Sequence, residues 1–209
     1  LASRSYRIDK RRQLQSETRA RIAAAAAELH AVKGGVATSY AEIAQRAGVS
    51  LPTVYNHFPN MGALIKACTA HVAARAPIPA VGRILEAADL PAAAELLVAD
   101  MDKLNAYFEP WLVWREERVV PALDEVMTRG RKQQTAMLAN LLSKHPVSAD
   151  PHELAAVWET LLGFDVWHRM VREHKLPRTK VRAILLQLLL AVVGPQPAVT
   201  VHPRPRRKP

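Results

Sequence analysis

Two helix-start signals on either side of a single glycine constrain this chain more than anything else in it. Ser39 and Glu42 form an S-x-x-E capping box, in which each side chain satisfies a backbone donor at the start of a helix. Gly48 closes that helix over residues 39–47, because glycine takes the left-handed closing conformation without steric cost. Ser50 then caps a second helix with Pro52 in its first turn, where a missing N–H is harmless. Apolar Ile43, Ala44, Val49, Val54 and Phe58 fall on one side across the turn. Two helices closed this tightly around a glycine make a helix-turn-helix, whose second helix can enter a DNA major groove.

The set Thr38-Ser39, Glu42-Ile43-Ala44, Ala47-Gly48-Val49-Ser50, Thr53-x-Tyr55, His57-Phe58 and Leu64 resembles the DNA-binding domain of the TetR family of transcriptional regulators. Gly35 and the upstream pattern Ile22, Ala25, Ala26, Leu29 fit that family's first helix, so the resemblance covers about residues 16–74. Two positions depart from it. Met61 stands where the family usually has a phosphate-contacting lysine, and His30 where an aromatic is common. The resemblance implies an all-α fold: an N-terminal three-helix helix-turn-helix DNA-binding domain plus a C-terminal helical ligand-binding and dimerisation domain. It implies a dimer on a palindromic operator, repression as the default, and release by a small ligand. It also implies that Thr53, Tyr55 and His57 touch phosphate and that Tyr40 lies near the DNA backbone or bases.

Reading DNA takes phosphate contacts that position and base-edge contacts that specify. The DNA-facing candidates are Thr38, Ser39, Tyr40, Ser50, Leu51, Pro52, Thr53, Tyr55, Asn56, His57 and Lys66. Leu51 and Pro52 can pack on thymine methyls, and Asn56 can pair with an adenine edge. No Arg or Lys lies between Ala47 and Lys66, so guanine readout falls to Arg46 or to residues nearer the N-terminus. Lys66 is expected on phosphate from a fourth helix starting at Asn60. Tyr55 also has a plain packing reading, and His57 a helix-ending one.

Charge supports the division. Residues 1–75 carry 11 Lys/Arg against 4 Asp/Glu, residues 76–203 carry 14 against 15, and Arg204, Arg206, Arg207 and Lys208 follow. A basic head on a neutral body suits a polyanion-binding module attached to something else. Four segments are expected: a basic arm over 1–15, the DNA-binding domain with its linking helix over 16–75, a helical body over 76–193, and a Pro-rich basic tail over 194–209. The arm, with Arg4, Arg7, Lys10, Arg11 and Arg12, reads either as a solvated tail or as a strand reaching phosphates or a minor groove. One cysteine, Cys68, excludes a disulfide framework and fits a reducing cytoplasm. The polar, basic start has no apolar core of a secretory signal, and no membrane partner is expected.

In the body, helices are expected over about 89–108, 121–143, 150–174 and 178–193. All four tryptophans lie there, so Met101, Phe108, Trp111, Trp114, Met137, Trp158, Phe164 and Trp167 are candidates to line a pocket for an apolar or aromatic small molecule. Ordinary core packing is the competing reading. Glu116, Glu117 and Asp165 read as solvated or salt-bridged. The last helix is apolar nearly all round, which requires burial on two sides. Ile184, Leu185, Leu188 and Leu189 are therefore expected at a homodimer interface, with a central intramolecular helix as the alternative, and the resemblance, which implies a four-helix bundle of the last two long helices, adds Leu161. No nucleotide-loop, zinc-protease or hydrolase motif occurs, and His168 and His174 are misplaced for one metal. No cofactor or metal is expected. The competing function classes are a sequence-blind nucleic-acid-binding or architectural protein, and a helical enzyme or ligand carrier.

Overall fold

The structure, a computed structural model, describes residues 2–194, and every regular element among them is a helix. Most of the expected tail, from residue 195 onward, lies outside the described residues. The head comprises α1 (Ala2–Lys33), α2 (Tyr40–Ala47), α3 (Leu51–His57) and α4 (Met61–Ala73). The body comprises α5 (Val81–Leu85), α6 (Leu90–Leu112), a 3-10 turn (Glu116–Arg118), α7 (Pro121–Leu142), α8 (Pro151–Leu162), α9 (Phe164–His168), a π-helical turn (Arg169–Glu173) and α10 (Arg178–Val192).

The starts are set by local chemistry. Ser39, Ser50, Asn60, Asp89 and Asp150 each accept a backbone N–H two or three residues on, tying up donors that a helix start leaves open. Gly48 closes α2 at φ 63°, in the left-handed region.

Three helices differ from expectation. α1 begins at Ala2 rather than at residue 16, so the expected arm is its first half. An exposed polar stretch free of Gly and Pro can extend a helix that packing has already nucleated, at one hydrogen bond per residue added. α6 runs through Pro110, which sits in its last turn and so removes little of the ladder. The helix expected over 150–174 breaks at Gly163, whose ψ of 156° is extended. The Leu162 carbonyl released there accepts the buried Asn105 amide at 3.0 Å.

Two cores result. The head packs around fully buried Ile22, Ala26, Ile43, Val54, Phe58 and Leu64. The body packs around Leu97, Leu138, Leu141, Leu142, Trp158 and Trp167. The division at residue 75 is not clean, because Tyr107, Phe108 and Trp111 of α6 pack against the head's core.

Candidate nucleic-acid interface

The surface of α3 is what remains once its inner face is buried. Val54 and Phe58 are wholly enclosed, which turns Leu51 (40% exposed), Pro52, Tyr55 (52% exposed) and Asn56 outward, with Thr53 and His57 half-buried. Ser50 Oγ accepts Thr53 N–H at 3.3 Å and lies 2.7 Å from the Thr53 hydroxyl, fixing the first turn. Arg19 of α1 closes the other end: its Nη1 donates to the His57 carbonyl at 2.5 Å, and its guanidinium lies 4.1 Å above the Phe58 ring. Cations favour the carbonyl end of a helix, so this contact also opposes the α3 dipole.

Three expected contact residues are turned elsewhere. The Tyr40 ring is buried against Tyr55, with centroids 4.8 Å apart, and its hydroxyl donates to the Phe58 carbonyl at 3.0 Å. Tyr40 is thus a positioning residue for Tyr55. Thr38 is buried and donates to the Gly34 carbonyl at 2.6 Å, closing the turn after α1. Lys66 points at the body and pairs with Glu125 of α7 at 2.7 Å, which holds the Glu125 carboxyl below its usual range. Ser39 remains exposed but is occupied by its capping box with Glu42. Lys33 and Ser39 hold the Glu42 carboxyl down to about 2.

The head is joined to the body by more than the chain. Glu116 Oε2 accepts Gly35 N–H at 2.7 Å and Oε1 accepts Val36 N–H at 2.8 Å. Gly34 makes this approach possible: a Cβ there would lie 2.5 Å from Glu116 Oε1, and its φ of 81° suits only glycine without strain. Trp111 Nε1 donates to the Ala27 carbonyl at 2.8 Å, and the Tyr107 hydroxyl to the Val72 carbonyl at 2.8 Å. Beneath them His30 is buried, with Nδ1 3.6 Å from Cys68 Sγ, and burial lowers its pKa. Burial also pushes the Cys68 thiol up to about 11.

This geometry matches a known domain. Residues 22–68 match the family model of bacterial regulatory proteins, tetR family. The N-terminal domain belongs to the TetR family. The chain as a whole has the fold of TetR-family transcriptional regulators. It is similar to NalD of Pseudomonas aeruginosa, the secondary repressor of the MexAB-OprM multidrug efflux pump, at 19% identity over 86% of this chain and 98% of that one, with a TM-score of 0.66. It is similar to a transcriptional regulator from Saccharomonospora viridis in complex with choline, at 21% identity over 84% and 96%, TM-score 0.63. SmeT in complex with triclosan matches at 19% identity over 91% and 100%, TM-score 0.62. No curated protein matches at a significant level.

In the body the expected pocket residues are divided rather than gathered. Trp158 and Trp167 are fully buried core, with Nε1 donating to the Leu189 carbonyl at 3.1 Å and to Asp102 Oδ1 at 2.8 Å. Met101 is buried with them, and Met137 and Phe164 flank that core. Phe108 and Trp111 belong to the head junction, and Trp114 is 41% exposed with its N–H on the Pro110 carbonyl. A tryptophan whose N–H finds an acceptor fits a core, and Trp158 and Trp167 are both placed in that way. Asp165 pairs with Arg115.

The interface candidates split as well. Leu185 and Leu189 face inward with Val181 and Val193 and form part of the body's core. Ile184 and Leu161 are half-buried, and Leu188 is 42% exposed. Val157 and Val192, not anticipated from the sequence, are exposed and extend the same spacing of four along α8 and α10. Among the described residues no helix is long and apolar enough to cross a membrane.

Proposed function

We propose that this protein is a ligand-responsive transcriptional repressor of the cytoplasm that binds a palindromic operator as a homodimer. The observation that carries the reading is α3: a helix capped at both ends, fixed from behind by Phe58, Tyr40 and Arg19, and presenting Leu51, Pro52, Tyr55 and Asn56 to solvent. Leu51 and Pro52 suit thymine methyls, Asn56 an adenine edge, and Thr53, Tyr55 and His57 phosphate. The apolar stripe of exposed Val157, Leu188 and Val192 with half-buried Leu161 and Ile184 supports pairing of α8 and α10 with their counterparts in a second copy. Two heads so held would address major grooves one helical turn apart.

The effector we propose is small and apolar or aromatic. The complexes with triclosan and choline support ligand binding by bodies of this fold. Its site would open beside α6 and α7, which carry the head contacts Glu125, Tyr107, Trp111 and, between them, Glu116. A ligand that favours one arrangement of those contacts changes DNA affinity, and DNA changes ligand affinity by the same factor.

Selection of bound duplexes from a random pool by the full chain tests the reading. A palindrome with half-sites about one turn apart is expected. Asn56→Ala should relax preference at one base position only. Sequence-blind binding would instead favour the architectural class.

A further inference from the structure

We propose that the first half of α1 is a second DNA-contacting element: a rigid basic helix lying along the phosphate ridge outside each half-site. The proposal rests on the DNA reading above and adds a contact which that reading does not need.

Three observations carry it. The first is length. α1 has 32 residues, yet its first buried residue is Ile22, so residues 6–17 stand clear of the head, all exposed. From Arg7 to Arg19 the helix advances about 18 Å at about 1.5 Å per residue, roughly half a turn of duplex.

The second is direction. Arg7, Arg11, Leu14, Thr18, Ile22 and Ala25 follow one another at spacings of three and four, so they share one helix face. Within the head that face is the one packed on the core. Beyond the head the same face overhangs and becomes basic, with Lys10 beside it and Asp9 on the opposite side. Arg19 marks where the overhang leaves the domain, against the end of the recognition helix.

The third is charge. α3 has no Arg or Lys, and most of the head's other cations are engaged within the protein: Lys33 with Glu42, Arg46 with Glu28, Lys66 with Glu125, and Arg19 on the His57 carbonyl. Arg7, Lys10, Arg11 and Arg12 are exposed on the same helix that meets the end of α3 at Arg19. Phosphate neutralisation is the main source of DNA affinity, and this helix carries the charge for it.

The helical form decides which part of the duplex is met. A helix is about 10–12 Å across, too wide for a minor groove of about 6 Å. The major groove of the half-site is taken by α3. What remains is the sugar–phosphate ridge, so the helix adds affinity without sequence information.

The test uses the full chain on selected operator duplexes of two lengths, one trimmed at the half-site edges and one with flanking base pairs. Wild type should bind the flanked duplex more tightly. The triple variant Arg7→Ala, Lys10→Ala, Arg11→Ala should lose that advantage. Its log–log salt slope should fall by about 0.9 for each phosphate no longer neutralised, with base preference unchanged. Gln13→Pro keeps every charge but bends the helix, and should lose the advantage too. An unchanged flank advantage and salt slope in the triple variant would overturn the proposal. So would a Gln13→Pro variant that keeps the full advantage, since that marks a flexible arm. Failure of wild type to bind any duplex would overturn the DNA reading itself, and this proposal with it.

Discussion

The head and the body close their polar groups over very different distances along the chain. In the head the closures are mostly local: Ser39 with Glu42, Ser50 with Thr53, Asn60 with Ala63 N–H, Thr38 with Gly34. In the body, apart from local caps such as Asp89 and Asp150, the buried polar groups are closed remotely. Asp102 of α6 accepts Trp167 Nε1 at 2.8 Å and Arg178 Nε and Nη2 at 3.0 and 2.9 Å. Asn105 reaches the Leu162 carbonyl and Trp158 the Leu189 carbonyl. A domain closed locally reaches its shape from short segments. One closed remotely has it only when α6, α8, α9 and α10 are all in place. The head is thus suited to a fixed DNA-reading geometry, and the body to arrangements that shift as one.

The largest test of that contrast is Asp102→Ala. It leaves the Trp167 N–H unpaired in the core and releases Arg178, and should cost about 2–3 kcal/mol, the lower figure reflecting a guanidinium that is partly solvated. Urea unfolding followed by tryptophan fluorescence reads this, since Trp158 and Trp167 lie in the body's core. A loss below about 1 kcal/mol would remove Asp102 from its place at the centre of the body.

Glu116→Ala addresses the one remote closure that crosses between the two regions through a carboxylate on a glycine turn. It should cost about 1–2 kcal/mol and speed hydrogen exchange at the Gly35 and Val36 amides, leaving amides within α8 unchanged. Equal protection in variant and wild type would show that the carboxylate does not hold the turn in solution.

Ser39→Ala and Ser50→Ala should each cost about 1 kcal/mol. Amide exchange should show the loss within α2 and α3, with the body's amides unaffected. A loss spread through the body would contradict the local character of the head.

The smallest effect is acid sensitivity at Glu42, whose carboxyl is lowered from 4.5 to about 2. A depressed carboxyl stabilises fully above its unfolded value and stops doing so as pH falls through the folded one. The stability gap between wild type and Glu42→Gln should therefore shrink between about pH 5 and pH 2. A constant gap would show that Lys33 and Ser39 do not hold the charge.

Much of the head was legible in the sequence because cap and capped donor are near neighbours in it. The starts of α2, α3, α4, α6 and α8 fell where their Ser, Asn or Asp caps stand. What was not legible depends on partners far along the chain. Nothing local marks Gly163 as a break rather than a tolerated helical glycine, because the Leu162 carbonyl freed there finds its partner in distant Asn105. Trp111 reads as a body residue until its N–H is found on Ala27. Tyr40 and Thr38 sit at surface-like positions in a motif, but their hydroxyls are drawn inward by carbonyls of the same domain. One overlooked signal existed: Gly34-Gly35 supplies two glycines where a helix end needs one, and the surplus makes room for Glu116.

The hold of Glu116 on that glycine turn has a mechanical consequence. A head tethered through α4 alone could swivel about the tether. This head is also fastened at Gly35 and Val36, at Ala27, at Val72 and at Lys66, points shared between two helices, α1 with its closing turn and α4. Such an attachment opposes rotation about any single tether. The pitch of α3 is then inherited from the body, and any change in the angle at which it meets a groove requires either breaking a named bond or moving the frame that carries them all.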